Sequence, residues 1–245
     1  ETKDEIGTDC VNKNGIIQKA VKKIRGSFPE LIIITDACFC QYTTQGHCGI
    51  LDKNGKIDRK SSLKQLQAQA ISHANVGVDF VAPSCMIDGM VQYIREALDN
   101  GGYEDRGILS YAVKYASAFY GPFRDAVNSV PQQGDRKSYQ LDPGNIREAL
   151  KEAQMDQDEG ADIIMVKPAL PYLDVIRGVK KQVTCPVAAY QVSGEYAMIK
   201  AAAQNSWMDE NKSMIESLLG IKRAGADIII TYFADAAARL IARKL

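Results

Sequence analysis

The chain has no net charge, no basic run and no apolar stretch longer than a strand. Its 30 Lys+Arg balance 30 Asp+Glu, for a formal net charge of zero. It therefore offers no electrostatic footprint for nucleic acid or for an anionic membrane. The apolar stretches are strand-sized and interrupted by charges, so none reads as a bilayer span. The opening residues, Glu-Thr-Lys-Asp-Glu-Ile, lack the apolar core of a signal peptide. Six cysteines do not make a disulfide framework here, because 245 residues, 46% of them hydrophobic, suffice for a self-supporting core. They read instead as reduced cytoplasmic thiols or as metal ligands. What is left is one large domain over 1–245 with a core of its own.

What is present is alternation. Short apolar, partly β-branched runs predict six strands: Leu31 to Asp36, Val78 to Ala82, Ile108 to Lys114, Ala161 to Lys167, Val187 to Gln191 and Asp227 to Tyr232. Helical spacing predicts helices over about 15–25, 63–74, 88–98, 142–159, 170–181, from Ser193 onward, and over about 210–223. Asp142-Pro143 reads as the cap and first turn of the fourth, and Ser193 as the cap of the sixth. Asn54-Gly55 marks a hairpin turn. Between about Phe119 and Gln140 no period holds, and a segment of that length suggests a lid. One junction recurs as Gly77-Val78-Asp79, Gly160-Ala161-Asp162 and Gly225-Ala226-Asp227: glycine ends a helix and aspartate opens a strand. Such repetition argues for an α/β fold of parallel βαβ units. A closed eight-stranded barrel would need two more strands, so either its first two units lie outside this chain or the sheet is open.

Two of the predicted strands end on lysine, Lys114 and Lys167. In parallel α/β folds the chemistry sits at the carboxyl ends of the strands. Either each lysine carries its charge out into solvent, or the two converge. Converging lysines make each other costly to charge, which leaves one neutral and able to form a Schiff base with a carbonyl. Cys38, Cys40 and Cys48 share the loop after the first strand. Three thiols within eleven residues suit zinc with one position open, the pattern of a catalytic site; the alternative is three unliganded thiols. His47 beside them fits a supporting role better than a ligand's. Arg124 and Arg136 sit in the expected lid, either as ordinary solvated charges or as a clamp for a carboxylate. Tyr190, Ser193 and Tyr232 lie at the ends of the last two strands, for packing and capping or for holding a second acid.

Several blocks closely resemble one family. They are Asp36-Ala37-Cys38-Phe39-Cys40 with Gly46-His47-Cys48-Gly49, Phe119-Tyr120-Gly121-Pro122-Phe123-Arg124-Asp125, Gly134-Asp135-Arg136-Lys137-Ser138-Tyr139-Gln140, Met165-Val166-Lys167-Pro168 and Tyr190-Gln191-Val192-Ser193-Gly194-Glu195. In this order they resemble porphobilinogen synthase, also called 5-aminolevulinate dehydratase. The resemblance implies a (βα)₈ TIM barrel, a homo-oligomer that is usually an octamer, and condensation of two 5-aminolevulinate molecules to porphobilinogen with loss of two waters, on the route to haem. It implies a Schiff base on Lys167 with the propionate-side substrate and on Lys114 with the acetate-side substrate. It puts Arg124, Arg136 and Gln140 on the acetate-side carboxylate and Ser193 and Tyr232 on the propionate-side one. Tyr190 and Phe123 line the rings, Asp36 and Ser84 lie near an amino group, and Cys38, Cys40 and Cys48 hold zinc. Relatives carry roughly eighty further N-terminal residues, an arm and then the first two barrel strands. Cys85 stands where many relatives have aspartate and reads as tolerated variation. The activating magnesium of many bacterial relatives is not expected, since the best-aligned position is Gln157. The competing expectations are a Schiff-base aldolase on the same barrel and an inactive fragment keeping only interface and metal roles.

Overall fold

Three aspartates stitch the sheet. In the computed structural model, which describes residues 3–127, 129 and 134–242, each aspartate of the repeated junction reaches back to the strand beside its own. Asp79 accepts from Ile33 N (2.7 Å), Asp162 from Ile108 N (2.7 Å) and Asp227 from Val187 N (2.8 Å). Each also donates its own N–H to the carbonyl of that same residue (2.9, 2.9 and 2.8 Å). The glycine before each is left-handed, with φ of 92°, 101° and 125°, a region that a side chain makes costly. The helix therefore stops there and the chain turns into its strand.

The strands β1 (Ile34–Ala37), β2 (Phe80–Pro83), β3 (Gly107–Lys114), β4 (Ile163–Lys167), β5 (Val187–Gln191) and β6 (Ile228–Thr231) lie in sequence order and pair in parallel. Among the described residues β1 and β6 do not pair with each other, so the six strands form a half-barrel. The connections carry α1 (Ile16–Ser27), α2 (Arg59–Ala74), α3 (Met90–Asn100), α4 (Gly121–Ala126), α5 (Ile146–Asp158), α6 (Leu173–Gln182), α7 (Ser193–Gln204), α8 (Glu210–Ala224) and α9 (Ala234–Ala242). One face of the sheet packs on helices through Val81, Ile108, Ile164 and Val187, all fully buried, each contributing about 1.5–3 kcal/mol. The other face carries a smaller cluster of Ala82, Leu109, Tyr111, Ile163, Met165 and Ala188, as strand alternation requires.

Several expected boundaries move. The first strand begins at Ile34 rather than Leu31, and Leu31 and Ile32 are exposed. Asp142 does not cap α5: it accepts from Gly144 N in a preceding turn, and Asn145 caps the helix by accepting from Arg147 N and Glu148 N. Ser193 is the first residue of α7 rather than its cap. Glu195 takes that role, accepting from Val192 N at 2.5 Å. The expected helix over 170–181 opens with a 3₁₀ turn, Leu170–Tyr172. The expected lid holds a 3₁₀ turn, Ala118–Tyr120, and then α4 with proline in its first turn; residues 128 and 130–133 of that segment lie outside the described residues. Asn54-Gly55 does turn a short antiparallel pair, Leu51 with Ile57.

Candidate active site

Lys114 and Lys167 end adjacent strands and are direct partners in the β3–β4 register. Strict alternation would put Tyr111 and Lys114 on opposite faces of β3. The register shifts between Ser110 and Val113, and Ala112 and Val113, consecutive in sequence, both pack on the helix side. That irregularity turns Lys114 onto the face of Tyr111. The Lys114 Nζ lies 5.7 Å from the Tyr111 ring centroid, and the Lys167 Nζ lies 4.9 Å from the same ring.

Their surroundings differ. Lys167 is walled by aromatic rings: Tyr190 at 4.2 Å, Tyr111, Tyr120 at 5.5 Å and Phe123 at 5.9 Å from Nζ. Loss of water and then the nearby Lys114 charge pull its pKa down to about 8. The ring faces attract a cation and oppose that shift without reversing it. Lys114 is buried and donates to Ser84 O at 2.6 Å. Burial alone would lower its pKa, but Cys48, Cys38 and Asp36 outweigh it and hold it above the ordinary value. Ser84 also donates its hydroxyl to Asp36 at 2.6 Å, so one residue ties Lys114 to the end of β1.

Cys38, Cys40 and Cys48 are buried, and their sulfurs lie within 4.8 Å of one another, Cys38 and Cys40 at 3.5 Å. Hydrogen bonds from the thiols of Cys40, Cys48 and Cys85 hold Cys38 well below the usual thiol range. A thiolate with two further sulfurs in reach fits a soft divalent metal. His47 is not in the trio; its Nδ1 lies 3.1 Å from the Tyr139 hydroxyl, which also accepts from Cys48 N at 3.4 Å.

Arg136 is anchored rather than solvated, donating to Gly46 O (2.8 Å) and Ser129 O (2.5 Å). Arg124 lies over the Tyr120 ring at 5.4 Å. The Nε atoms of both arginines are buried without a hydrogen-bond partner among the described residues, which a carboxylate would supply. Asp36, Ser84, Phe123, Tyr190, Ser193 and Tyr232 line the same cavity as the lysines and arginines. Ser193 accepts from Phe123 N at 3.1 Å, and the tight approach of Gly194 to the Phe119 backbone, 2.5 Å from where a Cβ would lie to the carbonyl oxygen, leaves no room for a side chain. Gln140 is not brought into this cavity. It is buried with both amide atoms unpartnered among the described residues and lines the adjoining one.

That neighbouring cavity, of about 980 Å³, is walled by Asp88, Glu148, Glu152, Asp156 and Glu159. Burial pushes Asp156 up to about 7. Gln157 is not part of it: its side-chain oxygen accepts from Thr184 N and Cys185 N. Sequence reasoning missed Tyr111, Tyr120 and Glu195. Tyr120 donates to Tyr115 O and Lys167 O, and Glu195 accepts from Leu170 N just past Lys167. Tyr120 and Glu195 stand in blocks that carry the family resemblance, without a role assigned there, and Tyr111 is marked only by its closeness to Lys114.

A family profile for delta-aminolevulinic acid dehydratase matches residues 1–240. The chain is 54% identical over 242 residues to the enzyme of that name from Bacillus subtilis (strain 168), covering 99% of this chain and 74% of that one. It is 56% identical over 230 residues to the one from Archaeoglobus fulgidus, covering 94% and 71%. The solved delta-aminolevulinic acid dehydratase of Toxoplasma gondii ME49, in complex with its reaction product porphobilinogen, superposes with a TM-score of 0.98 at 44% identity, over 99% of this chain and 70% of that one. With the lysine pair and the thiol trio where they stand, the chain belongs to the delta-aminolevulinic acid dehydratase family.

Proposed function

We propose that this protein condenses two molecules of 5-aminolevulinate into porphobilinogen, releasing two waters, in tetrapyrrole biosynthesis. The observation that carries the reading is the register pairing of Lys114 with Lys167 beside a cluster of three thiols. A neutral Lys167 amine attacks the ketone of one substrate; the C=N bond forms and water leaves. A pKa near 8 keeps a usable neutral fraction close to neutrality. The Lys167 substrate becomes the propionate side of the product, with its carboxylate on Ser193 and Tyr232 and its chain between Tyr190 and Phe123. Asp36, which accepts from the Ser84 hydroxyl at 2.6 Å, lies with Ser84 near its amino group. Lys114 takes the second substrate, whose carboxylate fills the open Nε sites of Arg124 and Arg136. Gln140, whose backbone N–H donates to Arg136 O at 2.9 Å and whose side chain lines the next cavity, would reach that carboxylate only by turning its amide.

Cys38, Cys40 and Cys48 would hold zinc, since soft thiolates in a buried trio suit it. Bound there it would supply a Lewis acid beside the second substrate. A cytoplasmic setting keeps the thiols reduced. Residues 1–245 act as one catalytic domain, and the working form is a homo-oligomer, an octamer as in the family. Among the described residues no helix is long and apolar enough to cross a membrane. The test is to supply 5-aminolevulinate to the purified, metal-loaded protein and to measure porphobilinogen colorimetrically and mass by light scattering on one sample. Product from the wild type and none from Lys167→Met supports the reading. A well-folded wild type that traps substrate as a Schiff base yet forms no porphobilinogen sinks it.

A further inference from the structure

Cys85 sits in the turn leaving β2. Ser84 N donates to Ala37 O at 3.1 Å, and Met86 follows in the left-handed region with φ of 59°, where a residue with a side chain is uncommon. Held this way, Cys85 points inward. It is fully buried, its Sγ lies 3.7 Å from Ala37 O, and its thiol reaches that of Cys38. A fourth sulfur thus stands beside the cluster, outside the group of three that is mutually within 4.8 Å and contributed by the turn after β2 rather than the loop after β1.

We propose that Cys85 is the fourth sulfur donor to the metal held by Cys38, Cys40 and Cys48, closing its shell in the substrate-free protein and leaving it when substrate arrives. The proposal rests on the trio being a metal site. Zinc takes four ligands in a tetrahedron, and a trio alone leaves one position for water. For a soft cation a thiolate within reach competes well with that water. Binding releases the thiol proton to solvent. Four thiolates around a divalent ion leave two negative charges, which the Lys114 ammonium and the Arg136 guanidinium, both acting on these same sulfurs, offset. Geometry also says which sulfur leaves. The trio is mutually within 4.8 Å, whereas Cys85 approaches through Cys38 and must draw the Ser84–Met86 turn with it. It is the one of the four outside that mutual distance, and so the one whose departure reopens a position.

X-ray absorption on protein loaded with zinc alone counts the sulfurs, because Zn–S bonds of about 2.3 Å separate from Zn–N or Zn–O bonds of about 2.0–2.1 Å. The expected counts are four in the wild type, three in Cys85→Ala, and three in wild type frozen rapidly with saturating 5-aminolevulinate. Chelator competition should show zinc affinity weakened about 10-fold or more in Cys85→Ala. Cys85→Ser, which keeps the packing, should also give three, with far-UV circular dichroism reporting folding of each variant. Three sulfurs in the resting wild type, or a count unchanged by Cys85→Ala or by substrate, overturns the proposal and leaves the trio standing. Loaded wild type that holds no zinc overturns both.

Discussion

Lys114 and Lys167 occupy equivalent places, the last residues of adjacent parallel strands in direct register, and they are driven in opposite directions. Lys167 stands among four aromatic rings, with no carboxylate or carbonyl hydrogen-bonded to it among the described residues, and its pKa falls to about 8. Lys114, equally enclosed, faces thiols and a backbone carbonyl, and its pKa rises. The strand end brings each lysine to the site, but the neighbouring strands decide what it can do there. On the proposed reading Lys167 is the nucleophile that acts first, while the Lys114 charge helps to lower the pKa of its partner.

Removing each lysine in turn should have the largest effect and should be asymmetric in kind. Lys167→Met should abolish product formation, by at least about 10⁴-fold, as loss of a covalent nucleophile does, and should abolish borohydride trapping with it. Lys114→Met should lose product as well, yet still trap one substrate on Lys167, found by peptide mapping of the reduced adduct. Losing the Lys114 charge should also raise the Lys167 pKa, because that charge is the second contribution lowering it. Trapping on Lys114 in the Lys167 variant at the wild-type rate would break the comparison.

The second test uses pH. Lys167 reacts only as the free amine, so its adduct should form faster as pH rises through about 8 and slow as pH falls below it. At pH 6, two units lower, about one molecule in a hundred carries a neutral Lys167, so single-turnover trapping should be about fifty-fold slower than at pH 8. The sign is fixed by burial and by Lys114, both of which favour the neutral form. A midpoint near the ordinary lysine value of about 10.4 would mean that water reaches Lys167 and that the ring wall does not desolvate it.

Much of this was legible in the sequence. Lys114 and Lys167 end apolar runs, Cys38, Cys40 and Cys48 stand close together, and the three Gly-x-Asp junctions mark where helices give way to strands. Local patterns carry such features because strand ends and loop spacings are local. What stayed hidden depends on pairing between strands. Tyr111 shares a face with Lys114 only because the β3–β4 register slips between them, and no period in one strand reveals that. That the Cys85 side chain turns inward is likewise hidden, because its direction is set by a left-handed Met86 and by a hydrogen bond to β1. The start of α5 was misplaced because Asp142-Pro143 and Asn145 are both good helix openers, and only Asn145 reaches two free N–H groups. Arg136 read as either a solvated charge or part of a lid because its anchor, Gly46 O, is ninety residues earlier in the chain.

The smallest expected effect sharpens the comparison most, because it falls on the residue that both lysines share. The Tyr111 ring lies 4.9 Å from Lys167 and 5.7 Å from Lys114, and its hydroxyl reaches Asp36 at 3.5 Å. That distance is long for an O–H donor, so the bond is weak. The ring, by contrast, packs against both lysine side-chain ends and keeps water from them. Tyr111→Phe removes only the hydroxyl and should lower kcat by about two- to tenfold, the equivalent of about 0.5–1.5 kcal/mol, with the midpoint for trapping on Lys167 still close to 8. Tyr111→Ala removes the ring, admits water and should move that midpoint upward, toward the value of an ordinary lysine. Since water would also screen Lys114 from Lys167, both causes of the depressed pKa weaken together. If Tyr111→Phe instead costs several orders of magnitude at an unchanged midpoint, the hydroxyl carries a proton between Asp36 and the reacting substrates. The two lysines would then differ by access to that proton and not by desolvation.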